Sequence, residues 1–205
     1  MMNENKIIKE GYDKMGSSYH ERRLAKKELN YEYFDKLAPY LPSKGNLLDL
    51  GCGSGMPATQ YFYDKGFNVE GVDISDTMIE IAQSSMPEAS FSVGDMAEFS
   101  IKPDSYDMIM SVYAIIHVPR EKQIQLLKNI HQGLKKEGVV YLVLGDQDKK
   151  VMIKEDWHGV PMYWSYFSPD KYNEIFETLN FEKIWQETSN LPNGESFYNV
   201  ILRKN

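Results

Sequence analysis

Four residues spaced two apart carry the first chemical signal of this chain: Asp49, Gly51, Gly53 and Gly55, within the stretch LLDLGCGSG. Glycine has no side chain to pack and costs backbone entropy on folding, so three in one short segment need a reason. They follow an apolar run and precede a helix-like segment, and Asp73 ends the next apolar run. In an open parallel sheet, ligands sit at the carboxyl ends of the strands where strand order reverses, and the first β-to-α turn is the floor of that crevice. Bare backbone in such a turn lets a ligand touch the main chain. A carboxylate ending the neighbouring strand can accept hydrogen bonds from both hydroxyls of a ribose. Together these features predict an adenosine-containing ligand. The dinucleotide pattern G-x-G-x-x-G fails, because its third glycine, counted from Gly51, falls at Met56. His117 follows a strongly apolar run and precedes Val118-Pro119. A histidine there can abstract a proton from a hydroxyl or amine, or it can shape the loop through backbone bonds.

These residues need elements to hold them. Apolar runs Asn46–Leu50, Asn68–Asp73, Ser90–Asp95, Tyr106–Ile115 and Val139–Gly145 read as strands. Helical patterns Pro57–Gly66, Ser75–Met86 and Pro119–Gly138 alternate with them, the last with Ile124, Leu127, Ile130 and Leu134 on one face. Strands buried on both faces with helical crossovers mean a doubly wound parallel sheet. After a further helix from Ser168 or Pro169, the runs Phe181–Asn190 and Glu195–Asn205 form two more strands joined by Leu-Pro-Asn-Gly. Asn193-Gly194 is a hairpin signal, so the sheet should end antiparallel. The expected fold is therefore α/β and Rossmann-like, a seven-stranded, mostly parallel sheet with an antiparallel C-terminal hairpin. Residues 1–41 form an N-terminal helical cap on a core of 46–205, in a single domain.

Composition sets the bounds. The chain has 205 residues, 42% of them hydrophobic, enough for one buried core. A formal charge of −7 disfavours a nucleic-acid partner. One cysteine allows no internal disulfide and no multi-cysteine metal site, so no metal is expected and a reducing, cytoplasmic setting fits. The polar start MMNENKIIKEG does not read as a signal peptide, and no apolar run approaches membrane-spanning length. The basic run HERRLAKKE, His20 to Glu28, reads as a solvated helix face.

With Asp49-x-Gly51-x-Gly53-x-Gly55 and Cys52 between the first two glycines, the chain resembles the class I S-adenosylmethionine-dependent methyltransferases over nearly its whole length. The terminal hairpin agrees, since that family's sheet carries a reversed seventh strand. The resemblance implies S-adenosylmethionine as cofactor, and an acidic residue near the turn, such as Asp49, suits its ammonium group. It implies ribose binding at Asp73 and an apolar contact to adenine at Ile74. Asp95 and Met96 would meet the adenine edge, and Ser111 and Val112 would line the methionine and methyl-transfer zone. Tyr12 and Tyr19 resemble the aromatic helix that closes over the cofactor in many small-molecule members. Cys52 reads as a small, inert turn residue.

The segment Asp156–Pro169, DWHGVPMYWSYFSP, overlaps a candidate acceptor-pocket insertion at 146–168. Trp157, His158, Met162, Tyr163 and Trp164 read as acceptor-pocket or lid residues, against a plain hydrophobic cluster that pins the loop. If the acceptor must lose a proton, His117, His158 or Tyr163 could take it. A small organic acceptor is favoured: base-amino methylation lacks its Asn-Pro-Pro-Tyr-like signature at Ser111–Ala114, and arsenite lacks its cysteines. Two other readings compete, a non-catalytic S-adenosylmethionine-binding or regulatory protein and a nicotinamide-dependent oxidoreductase.

Overall fold

The computed structural model describes residues 4–25, 28–191 and 194–205. The chain opens with helices α1 (Glu4–Leu24) and α2 (Glu28–Leu37). It continues through β1 (Asn46–Leu50), α3 (Ala58–Asp64), β2 (Asn68–Asp73), α4 (Asp76–Ser85), β3 (Ser90–Val93) and β4 (Tyr106–Ser111). Then come α5 (Arg120–Gly133), β5 (Leu134–Gly145), β6 (Lys149–Trp157), β7 (Val160–Tyr166), α6 (Pro169–Thr178), β8 (Phe181–Asn190) and β9 (Ser196–Lys204).

Among the described residues, seven strands form one sheet in the order β3-β2-β1-β4-β5-β9-β8. The first five are parallel, while β9 runs antiparallel to both β5 and β8, as the sequence predicts. Successive residues serve opposite faces: Leu48, Leu50 and Ile109 pack with α5 and α6, while Leu47, Met108 and Met110 pack with α2, α3 and α4. Strand order reverses between β1 and β4, which opens a crevice at their carboxyl ends.

Several boundaries depart from the sequence expectation. The fourth strand ends at Ser111, not Ile115. There the Ser111 hydroxyl donates to Leu50 O and accepts from Ile115 N–H, and Tyr113 adopts φ 60, which turns the chain into a 3-10 turn at Ile115–His117. The third strand ends at Val93, two residues early. Helix α5 stops at Gly133, and Leu134 already pairs with Tyr106. Its buried face is Gln123, Leu126, Leu127 and Ile130, while Ile124 is 44% exposed. Gln123 sets that phase. Its amide donates to the carbonyls of Ile115, Val118 and Ser165 and accepts from the Tyr172 hydroxyl, tying four segments together.

The insertion is itself ordered. β6 and β7 form a separate two-stranded antiparallel sheet. β7 is buried from Met162 to Ser165, because α1 lies across it. Gly11 makes that seat: a Cβ there would stand 2.8 Å from Met162 Cε and 3.3 Å from Pro161 O. The C-terminal hairpin closes with Asn190 opposite Ser196 and Gly194 at φ 82; Asn193 lies outside the described residues, as do Lys26 and Lys27. Among the described residues no helix is long and apolar enough to cross a membrane, and no cluster of three or more His, Cys, Asp or Glu could hold a metal ion.

Candidate active site

The crevice at the β1–β4 reversal is a cleft of about 820 Å³, counting its mouth open to solvent. Its floor is the turn after β1. Gly51, Gly53 and Gly55 all have positive φ, at 78, 53 and 78°. At Gly51 a Cβ would collide with Ala114 Cβ at 2.2 Å, so the turn can press against the end of β4 only without a side chain. At Gly53 a Cβ would meet nothing within 4 Å, which leaves main chain facing open space.

Three carboxylates stand around that floor, each within a residue or two of a strand's carboxyl end. Asp73 closes β2. Its Oδ2 accepts from Gly53 N–H at 2.8 Å and its Oδ1 from Ser75 N–H at 2.9 Å. Each oxygen keeps a second lone pair, so the carboxylate can still receive two hydroxyls. Burial raises its pKa, and the backbone bonds oppose that. Ser75, and not Asp73, caps α4, accepting from Met78 N–H at 3.2 Å. Asp49 is 2% exposed, and its Oδ2 accepts from the Thr59 hydroxyl at 2.5 Å. Its Oδ1 is buried with no partner. Burial is the main cause pushing its pKa up to about 7, against the Thr59 bond. A buried acceptor left open beside a cleft is expensive, and a ligand cation placed there would relieve it. Asp95 follows β3. Its Oδ1 accepts from Ala97 N–H and its Oδ2 from the Asn5 amide of α1, both within 2.9 Å.

Helix α1 roofs the cleft. Besides Asn5 on Asp95, it sets Asp13 at the start of α4, where Asp13 Oδ1 accepts from the Ser75 hydroxyl at 2.6 Å, and His20 on the Ser54 hydroxyl at 2.9 Å. Tyr12 and Tyr19 line the cleft from above, edge-on to each other at 5.2 Å. Gly16 breaks the helix midway, with φ 43 and ψ −126.

Most residues singled out from the sequence converge here. Tyr12, Tyr19, Asp49, Gly51, Cys52, Gly53, Gly55, Asp73, Ile74, Asp95, Met96, Val112 and His117 all line the cleft. Ser111 does not: fully buried, its hydroxyl is spent on backbone, and it holds the end of β4 in place. The aromatic set on the insertion does not line it either. Met162, Tyr163 and Trp164 are buried in a cluster with Ile8 and Met15 of α1 and with Ile116, and Trp157 packs on Tyr12 and Tyr19. They pack behind residues that do line it, Ile8 and Tyr12 of α1 and His117, whose ring lies 5.6 Å from that of Trp164. His158 sits at the exposed hairpin turn with φ 57.

Tyr163 contributes through its backbone instead. Its carbonyl accepts from His117 Nδ1–H at 2.6 Å, which leaves Nε2 bare to accept from the Tyr12 hydroxyl at 3.0 Å. Burial pushes the His117 pKa down to about 4, so the ring is neutral. Sequence reasoning missed Asn5, Thr59 and Arg23, which also line the cleft. The basic run from His20 is therefore only partly solvated, since His20 and Arg23 both turn inward. For Asn5 and Arg23, helical phase relative to Tyr12 and Tyr19 on α1 is the available signal; Thr59, on α3, has none of that kind.

Comparison with known proteins agrees with this geometry. Residues 19–186 match a family model described as a methyltransferase domain. A carboxy-S-adenosyl-L-methionine synthase of Campylobacter curvus is 35% identical over 181 residues, covering 80% of this chain and 74% of that protein. An uncharacterised methyltransferase of Oceanobacillus iheyensis is 32% identical over 124 residues, covering 60% of this chain; the chain spans only 57% of that protein's length. Magnesium protoporphyrin IX methyltransferase of Synechocystis, solved with bound S-adenosylhomocysteine, shares the fold at TM-score 0.76 and 14% identity, over 99% of this chain and all of that one.

Proposed function

The chain belongs to the class I S-adenosylmethionine-dependent methyltransferases, and from that premise we propose that it methylates a small organic acceptor in the cleft beneath α1. S-adenosylmethionine supplies an electrophilic methyl on a sulfonium whose leaving group is a neutral thioether. The protein's own task is to bind, align and exclude water, since orientation alone can lower a barrier by about 7–11 kcal/mol in favourable cases.

In this reading Asp73 receives the ribose hydroxyls and the open Oδ1 of Asp49 receives the ammonium group. Ile74, Met96 and Asp95, with Asn5 behind it, enclose the adenine. The bare turn Gly51–Gly55 supports the amino-acid end, with Cys52 packed beneath it. Tyr12 and Tyr19 shut out water from above, and Val112 borders the transfer zone.

His117 and Tyr12 form a polar pair at that zone. A histidine with a pKa near 4 is a weak base at neutral pH. The pair therefore orients an acceptor more than it deprotonates one. Acceptors already nucleophilic without proton loss, such as a neutral amine, suit the site best. A formal charge of −7 favours a small molecule over a nucleic acid.

The observation that carries this reading is the buried, unpartnered Asp49 oxygen next to a glycine turn that Asp73 holds open. The test is calorimetric titration with S-adenosylhomocysteine of wild type and Asp73→Ala. Loss of a charged hydrogen-bonding group should weaken binding by roughly 1.5–3 kcal/mol. An affinity unchanged by the substitution would remove Asp73 from the site.

A further inference from the structure

Helix α3 borders two hollows. Ala58 and Thr59, at its start, line the cleft, whereas Tyr61, Phe62 and Lys65, toward and just past its end, line a second space beside α2. Counting its mouth open to solvent, this second hollow measures about 660 Å³, within the roughly 300–1,000 Å³ of small-ligand pockets. Among the described residues, none that lines it also lines the cleft.

Its walls are core side chains. Phe34, Phe62 and Phe67 are buried members of one apolar cluster, and Leu41 packs against them. The rings brace one another, Phe34 to Phe62 at 5.8 Å and Phe62 edge-on to Phe67 at 5.6 Å, so collapse into the space would break ring contacts. Water inside finds few hydrogen-bond partners, and rings facing a void forgo contact. The Tyr61 hydroxyl already donates to the Asp35 carboxylate.

The rim carries the opposite chemistry. The Lys65 ammonium lies 4.6 Å from the centre of the Tyr61 ring. Lys44 passes over Gly66, which sits between the lining residues Lys65 and Phe67; a Cβ there would stand 3.6 Å from Lys44 Cε. Both lysines are exposed, and no carboxylate among the described residues pairs with either, in a chain of net charge −7. The carboxylates of the flanking helices, Asp35 and Asp64, are engaged by the Tyr61 hydroxyl and the Gln60 amide. Aromatic walls under unpaired ammonium groups fit a molecule with an apolar body and an anionic head.

We propose that this hollow binds a small amphiphilic carboxylate. Its alkyl body lies against Phe34, Phe62 and Phe67, and its head group meets Lys44 and Lys65. The site is independent of whatever occupies the cleft.

Octanoate and 1-octanol, equal in chain length and different in charge, are titrated calorimetrically into wild type, Ala38→Trp and the double variant Lys44→Gln/Lys65→Gln. Thermal melting checks that each variant folds, and amide NMR shifts locate the ligand. Wild type should bind octanoate with shifts at Phe34, Phe62 and Phe67, more weakly as salt rises. In the double variant octanoate should bind about three- to tenfold more weakly, the size expected of two exposed ion pairs, while 1-octanol binds as before. Ala38 lines the hollow, so the indole of Ala38→Trp should exclude both compounds. The proposal is overturned if octanoate does not bind wild type, if its shifts fall elsewhere, or if the double variant binds it as wild type does. A dimer in sedimentation that Ala38→Trp dissociates would assign the hollow to a second copy of the chain and overturn it equally.

Discussion

Asp73 ends β2 and Asp49 is the last residue but one of its neighbour β1, yet their surroundings ask opposite things of them. Asp73 is held by two backbone N–H groups, whereas Asp49 has one hydroxyl donor and one open oxygen. With its pKa pushed up to about 7, Asp49 is largely protonated at pH 6 and largely ionised at pH 8. Only the ionised form attracts an ammonium group. S-adenosylhomocysteine should therefore bind about tenfold more tightly at pH 8 than at pH 6, and Asp49→Asn should flatten that dependence. A wild-type affinity that is level across the range, or that falls as pH rises, would contradict the assignment. Sequence spacing placed Asp49, Asp73 and the glycines at the cleft because their positions follow from local backbone geometry. Thr59, Asn5 and Arg23 stayed hidden because their roles depend on which distant segment folds over them. Asn5 reaches Asp95 across ninety positions of sequence. Ser111 shows the reverse case: its position matched a lining role, but its hydroxyl was consumed by Leu50 O.

At the scale of elements, α1 joins the cleft to the insertion. It latches onto Asp95, the start of α4 and Ser54, and its other side seats on β7. Gly11 permits that seat. Gly11→Val would push a side chain against Met162 Cε and the Pro161 carbonyl, and a carbonyl cannot swing aside. The expected cost is roughly 1–3 kcal/mol of stability, read by thermal melting. S-adenosylhomocysteine affinity should fall as well, since Asn5 and Tyr12 lie on the same helix. Stability and affinity both at wild-type values would separate α1 from the site. The parallel strands were legible because burial on both faces leaves continuous apolar runs. The β6–β7 hairpin was not. Its first strand, KKVMIKEDW, is mostly exposed on the protein surface, so neither alternation nor an apolar run marks it. The aromatic residues of β7 carried a real signal, but it reported packing against α1. The phase of α5 was misjudged for a related reason, because a polar residue, Gln123, occupies its buried face.

At the scale of the molecule, the main sheet, seven-stranded among the described residues, its two apolar faces and its strand-order reversal converge on a single consequence: the cleft forms where β1 and β4 part, and α1 covers it. Every residue assigned above takes its place from that arrangement. The most direct test is a crystal structure of the protein grown with S-adenosylhomocysteine. It should show the ribose hydroxyls on Asp73, the amino group within hydrogen-bond distance of Asp49 Oδ1, and the adenine beside Ile74 and Met96. A nucleoside lodged outside the β1–β4 cleft, or an Asp49 oxygen still without a partner in the complex, would contradict the account.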